Sequence, residues 1–286
     1  MSSLPKVRCR LIEESDLGAV ADLLTRGFPS RTRKYWTNAL ARLAARATPE
    51  GCPRFGYMLD AEGAAAGVLL LIFSQTGDAD GPIRCNVSSW YVDPLYRGFA
   101  AALVSTALKL KHVTYLNISA APHTWPILKA QGYSRYSDGQ FAAVPLLSTG
   151  SHRHRARLFT GGERDRALPE YELMRAHAEA GCLAIVCDTE AGPLPFLFLR
   201  RRLSKAPFGF AQLVYCRDTQ DLVSCAGALG RRLLLSGALC VICDCTAPIP
   251  GLAGRFFANK APRYFRGPNP PRLNDLSFTE LVLFGP

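Results

Sequence analysis

Trp90-Tyr91-Val92-Asp93-Pro94-Leu95-Tyr96-Arg97-Gly98-Phe99-Ala100-Ala101-Ala102-Leu103 is the stretch on which the reading of this chain turns. The residues leading into it, Ile83 to Val92, read as a strand. Asp93-Pro94 ends that strand, because proline cannot donate to a ladder. A helix then opens on small residues, from about Gly98 to Lys111. Free amide N–H groups and the positive end of the dipole make such a helix start an anion site. Small side chains let a phosphate approach the backbone, and Arg97 adds a permanent positive charge suited to phosphate.

Working outward, Val7 to Ile12 reads as a strand, Asp16 as the cap of a helix to Arg26, and Arg33 to Arg46 as a second helix. Tyr57–Leu59 and Val68–Phe73 form a hairpin around Asp60–Gly63. After the helix at Gly98, Tyr115–Ala120 is a strand, Thr124–Ala130 a short helix closed by Gly132, and Phe141–Leu147 a strand. The second half repeats this order. Pro169–Glu179 is helical, and Leu183–Cys187 with Leu194–Leu199 form a hairpin. Phe210–Tyr215 is a strand, Asp218 caps a helix to Leu235, and Leu239–Cys243 is a strand. Leu252–Asn259 reads as a short helix and Phe278–Phe284 as a last strand. Alternating strands and helices argue for an α/β arrangement with a mixed sheet. The polar, Gly-rich stretch at 149–166 separates two domains, 1–148 and 167–286.

Composition excludes several classes. The 286 residues are 48% hydrophobic and 20% charged, which is enough apolar surface for packed cores. The longest apolar run, Ala64 to Phe73, is half of what a membrane-crossing helix needs, about 20 residues. The N-terminus carries no signal-peptide pattern, so a soluble cytoplasmic protein is expected, with no membrane association. The net charge is +11, with 16 basic against 11 acidic side chains in residues 1–150 and 18 against 12 in 151–286. An even spread disfavours a nucleic-acid arm and suits a polyanionic small ligand. Ten cysteines are too sparse for a disulfide scaffold. Cys240, Cys243 and Cys245 lie in a strand pattern that turns residues 240 and 243 to opposite faces, so no metal is expected.

Val92, Pro94, Tyr96, Arg97 and Gly98, followed by Ala102, resemble the phosphate-binding motif of the GNAT acyl-CoA N-acyltransferase superfamily. Trp125 to Tyr133 is similar to that family's helix ending in Gly-Phe or Gly-Tyr. The resemblance covers the first half, and the second half shares only the order of elements. It implies a mixed, mostly antiparallel GNAT-type sheet flanked by helices, repeated in two halves that pack as a monomer. It implies acetyl-CoA or another acyl-CoA as co-substrate, its pyrophosphate held by Arg97, Gly98, Phe99, Ala100, Ala101 and Ala102. The pantetheine arm would align on the backbone of Trp90, Tyr91 and Val92. Ala100 departs from the family's glycine, and its methyl is expected to crowd the pyrophosphate. After Tyr215 the second half has Cys216-Arg217-Asp218-Thr219-Gln220-Asp221, whose carboxylates would repel a pyrophosphate.

Acyl transfer to an amine uses a base for the ammonium proton and an acid for the leaving thiolate. The resemblance implies a Glu on the fourth strand and a Tyr four residues before the glycine of the terminal helix motif. This chain has Asn86, Ser88 and Ser89 on that strand and Leu128 at the Tyr position. His123, Ser89 and Tyr133 are the substitute candidates, with capping or core roles as the plain alternatives. Ser88 and Asn117 can hold substrate or water, Asp244 can face a shared cleft, and Arg200-Arg201-Arg202 can attract an acidic substrate. The expected function is N-acylation of a small amine or peptide, resting on positioning rather than a strong acid–base pair. The alternative is a catalytically weakened GNAT-like protein that binds a ligand or partner.

Overall fold

A computed structural model describes residues 6–75, 81–150, 153–201 and 209–285. The first half supplies β1 (Val7–Leu11), α1 (Leu17–Gly27), α2 (Arg33–Ala44), β2 (Gly56–Ala61), β3 (Ala64–Gln75) and β4 (Ile83–Val92). It continues with α3 (Ala100–Ala107), β5 (Thr114–Asn117), α4 (Trp125–Ala130) and β6 (Ser134–Ala143). The second half supplies β7 (Arg155–Leu158), α5 (Glu163–Arg166), α6 (Tyr171–Glu179), β8 (Leu183–Thr189) and β9 (Gly192–Arg201). It ends with β10 (Gly209–Tyr215), α7 (Thr219–Ser224), α8 (Ala226–Leu235), β11 (Ala238–Cys245), β12 (Gly254–Arg266) and α9 (Glu280–Leu283).

All twelve strands join one sheet in the order β1-β2-β3-β4-β5-β12-β6-β11-β10-β9-β8-β7. From β1 to β4 the strands run as an antiparallel meander, and β4 pairs parallel with β5. From β7 to β10 the meander recurs, and β10 pairs parallel with β11. The two halves therefore repeat one pattern. At the centre they exchange strands: β12 lies between β5 and β6, and β6 lies between β12 and β11. The exchange reaches the cores. Phe141 and Ala143 of β6 are buried among the side chains under α8, while Leu116 and Ile118 pack with Met174 of α6. β3 is covered on both faces, as a continuous apolar run requires. Val68, Leu70 and Ile72 face α1 and α2; Leu69, Leu71 and Phe73 face the α3 side.

Several segments differ from the sequence reading; the strand expected at Phe141–Leu147 is β6 at Ser134–Ala143, followed by a 3₁₀ turn at Pro145–Leu147. Residues 252–259 are not helical; from Gly254 they open β12, whose Gly254–Ala258 pairs with Ala143–Gly139. A short apolar run around Phe256 and Phe257 fits helix or strand by pattern, and the open edge of β6 decides it. Residues 278–284 are a turn and α9, with Phe278 at φ 55. The 149–166 stretch carries β7, an edge strand on β8, and α5, which Asp165 organises by accepting from Thr160 N and Gly161 N. Asp16 also acts otherwise than expected. Its carboxylate accepts from Glu13 N at 2.9 Å and pairs with Arg10 at 2.6 Å.

After β12 the chain returns across both halves. Leu276 N donates to Val214 O at 2.7 Å, and Asp275 pairs with buried Arg84 at 2.9 Å. Phe278 N donates to Nε2 of His177 at 3.0 Å, while Nδ1 of His177 meets Leu173 O at 2.8 Å. His177 is thus neutral, with its proton on Nδ1. Leu283 and Phe284 finish in the core under α1 and α2.

Burial pushes the His177 imidazole down to about 4, helped by Arg46 and Arg84 and opposed by the Leu173 carbonyl and Asp275. The unfolded chain binds a proton near pH 6.5 and the folded chain does not, so stability falls as pH drops from 6.5 toward 4. The loss is about 3 kcal/mol. Urea midpoints at pH 7.5 and 4.5 check this: His177→Gln should show a clearly smaller acid loss than the parent. An equal loss in both would show that His177 does not titrate in this window.

Candidate active site

Strands β4 and β5 pair only from Arg84↔Thr114 to Asn86↔Leu116. Beyond Asn86 the β5-facing edge of β4 has no ladder partner. In the same place β4 is bulged: Leu70 pairs with Ser88 and Leu69 with Trp90, leaving Ser89 between them at φ 47. A bulge re-aims its neighbours and sharpens the bend. A wedge-shaped gap results along Val87 to Val92, where no ladder bond to β5 forms among the described residues and Val87 O accepts from Nδ2 of Asn86 at 3.3 Å. Trp90 lines the gap, Tyr91 turns its ring toward Phe28 at 6.3 Å, and Val92 is buried in the core on the α3 side.

The end of β4 leads into a tight turn of 3₁₀ helix, Pro94–Phe99, and then α3. The expected helix from Gly98 to Lys111 is therefore shorter, ending at Ala107. Arg97, Gly98, Phe99, Ala101 and Ala102 are exposed at this start. Gly98 is not in the left-handed region, and a Cβ on it would meet nothing within 4 Å. Neither strain nor packing demands glycine there; the space beside it is open. The Ala100 methyl packs against the core instead of facing that space. The Ala100 N–H donates to Arg97 O, so an anion would meet the amides that follow.

A cleft of about 390 Å³ opens from the wedge, walled by Phe28, Tyr35, Trp36, Trp90, Ile127 and Phe284. Glu280 enters it from α9. Its N–H donates to Oδ1 of Asn86 at 2.7 Å, and its carboxylate accepts from Oγ of Ser88 and Oγ of Ser119. Ser88 Oγ in turn lies 3.0 Å from Ser89 Oγ. A continuous polar chain thus runs from Glu280 to the bulge. Burial raises the Glu280 carboxyl above its ordinary value, while the two serines and Arg263 pull it down. β4 itself carries no carboxylate at Asn86, Ser88 or Ser89; Glu280, from the far end of the chain, lies beside it. Residues 278–284 were read as a strand, so the sequence reading missed it.

The other candidates separate. His123 is exposed on the cleft rim, in the turn Pro122–Thr124. Tyr133 is buried beside Leu128 and lines the cleft; burial, then Cys85, raises its phenol well above the usual range. Gly132, at φ 80, turns the chain out of α4 and sets Tyr133 there. Asn117 and Ser119 line the β5 side. Asp244 does not face the cleft: it is fully buried and holds Arg263 at 2.8 Å. Of the basic run, Arg201 lines the cleft, Arg200 is exposed elsewhere, and Arg202 lies outside the described residues. In the second half Asp218 caps α7 by accepting from Gln220 N, and Arg217 is paired with Glu170. Among the described residues no group of three or more His, Cys, Asp or Glu could hold a metal ion, and no helix is long and apolar enough to cross a membrane.

No protein-family model matches the chain, and no curated protein matches it. Solved structures do. A GCN5-related N-acetyltransferase from Anabaena variabilis superposes with a TM-score of 0.61 at 11% identity, over 91% of this chain and 72% of that one. One from Kribbella flavida gives 0.57 at 15% identity, over 92% and 71%. Eis1 from Mycobacterium abscessus gives 0.52 at 11%, over 91% and 73%. The fold is that of the GCN5-related N-acetyltransferase structures on which it superposes.

Proposed function

We propose that this protein transfers an acyl group, acetyl in the simplest case, from an acyl-coenzyme A thioester to the amine of a small molecule or peptide. The observation that carries this reading is the meeting of the wedge between β4 and β5 with the carboxylate of Glu280 in one cleft, which Val104 of α3 and Leu108 just after it also line; the exposed small-residue start of α3, bearing Arg97, follows directly on β4. The pyrophosphate would lie on the start of α3, against Gly98, Ala101 and Ala102. The thioester would run along the unpaired edge of β4, whose N–H groups near the bulge can polarise its carbonyl. Glu280 takes the ammonium proton, directly or through Ser88 and Ser89. The free amine then forms its N–C bond as the C–S bond breaks, and the thiolate leaves with the electron pair. Tyr133, kept protonated by burial, is the candidate donor to that thiolate. In the second half the corresponding helix start, that of α7, is capped by Asp218 and carries Asp221 in its first turn, so one acyl donor binds per chain.

The test is ligand binding with a charge reversal. Saturating acetyl-CoA at a hundred times Kd should stabilise the protein by about 2.7 kcal/mol. Arg97→Glu should abolish the melting shift. Arg166→Glu, at an exposed arginine of α5, should keep it. Coenzyme A thiol release should follow when amines are added. Absence of any shift at millimolar acetyl-CoA would sink the acyltransferase reading and favour a GNAT-like protein that binds some other ligand.

A further inference from the structure

Arg31, between α1 and α2, and Arg201, at the end of β9, come from opposite halves of the chain and line the same cleft. The Arg31 guanidinium lies over the Tyr35 ring, 4.5 Å from its centroid. Arg31, Glu280, Arg201 and Arg42 all act electrostatically on the Tyr35 hydroxyl, so four charges lie around one side chain. Among the described residues no carboxylate pairs with either arginine. Several other partly or wholly buried arginines are paired: Arg84 has Asp275, Arg263 has Asp244, Arg217 has Glu170 and Arg10 has two aspartates, whereas Arg46 lies over the Phe278 ring with no carboxylate among the described residues. Two half-buried like charges in one aromatic-walled cleft repel, and burial with the Arg31 charge holds Arg201 below its usual value. Guanidinium groups left in this state have a vacant bidentate fork suited to a carboxylate or phosphate.

We propose that Arg31 and Arg201 form an anion subsite, and that the acceptor is a primary amine that also carries a carboxylate or phosphate group. The amine faces Glu280 and the anionic group faces the two arginines. Phe28, Trp36 and Phe284 cover an apolar body between them. The opposite charges at the two ends fix the acceptor's direction, and the net charge of +11 favours the encounter of an anion with the protein. This proposal rests on the acyl-transfer reading for the role of the amine, but not for the binding of the anion.

Calorimetry on the full chain, with coenzyme A in place of the acyl donor so that no transfer occurs, compares amines that differ only in the anionic group, and thiol release is followed separately with acetyl-CoA. The pairs are phenylalanine with phenethylamine, tryptophan with tryptamine, and lysine with cadaverine; the aminophosphonate analogue of phenylalanine tells phosphate-type from carboxylate recognition. At least one carboxylate or phosphonate member should bind about tenfold or more tightly than its neutral partner. Arg31→Ala and Arg201→Ala should each erase that preference while leaving the neutral amine's Kd within about threefold. Equal affinity within every pair, or a preference that survives both substitutions, overturns the proposal. Thiol release without a preference removes the subsite and keeps acyl transfer; a preference without thiol release does the reverse.

Discussion

Replacing Glu280 by glutamine should lower kcat/KM for amine acylation by about 10² to 10³, the range of a lost general base. The glutamine keeps the shape of the side chain and can still reach Ser88 and Ser119, so folding and acetyl-CoA binding should persist. The pH profile separates a base from a structural anchor. The base works as a carboxylate, so the parent rate should climb with pH through a value above the ordinary glutamate range and then level off, because burial raises that carboxyl. Ser119→Ala removes a hydrogen bond that favours the charged form. Its climb should therefore move to higher pH. Glu280→Gln should lose the climb altogether. A drop below threefold, or a profile unchanged by Ser119→Ala, would return the reaction to pure positioning, with the amine losing its proton to water.

The largest effect on stability is expected at the exchanged strands. Arg263 on β12 is 3% exposed and Asp244 on β11 is fully buried; they pair at 2.8 and 3.1 Å. The third arm of Arg263 donates to Ile118 O, beyond β5 in the first half. One guanidinium thus ties both halves to the strand they share. Asp244→Ala leaves that charge buried and unpaired, which costs about 3–5 kcal/mol. The double change Asp244→Leu, Arg263→Met should recover most of the loss, since apolar packing often equals a buried ion pair. Asp22→Ala, which removes an exposed partner of Arg33, should leave the urea midpoint near that of the parent. If Asp244→Ala does the same, the pair does not hold the exchange together.

Much of the molecule was legible from local pattern. Ile83–Val92, the hairpin of β2 and β3, the helix at 33, the hairpin of β8 and β9 and the Asp218 cap all follow from residues close in sequence. So does the exposed helix start with Arg97 and Gly98, because turn chemistry and small residues act within a few positions. The cleft was legible only in part. Tyr133, His123, Ser89 and Trp90 do line it, but no local pattern shows that Ser89 is a bulge. Glu280 carries no motif at all. Its place depends on Asp275 meeting Arg84, Phe278 meeting His177 and its own N–H meeting Asn86, contacts that span from about a third to about two thirds of the chain.

The sequence by itself determined where most of the strands and helices form, which helix start is open to an anion, and that the order of elements occurs twice. These are local properties of hydrophobic period, capping and chain stiffness. Tertiary structure alone decided which strands pair, because any exposed strand edge can accept another and only the global arrangement satisfies them all. It placed β12 of the second half beside β5 and β6 of the first, turned an ambiguous apolar run into a strand, and carried Glu280 into a cleft whose own strand has no carboxylate.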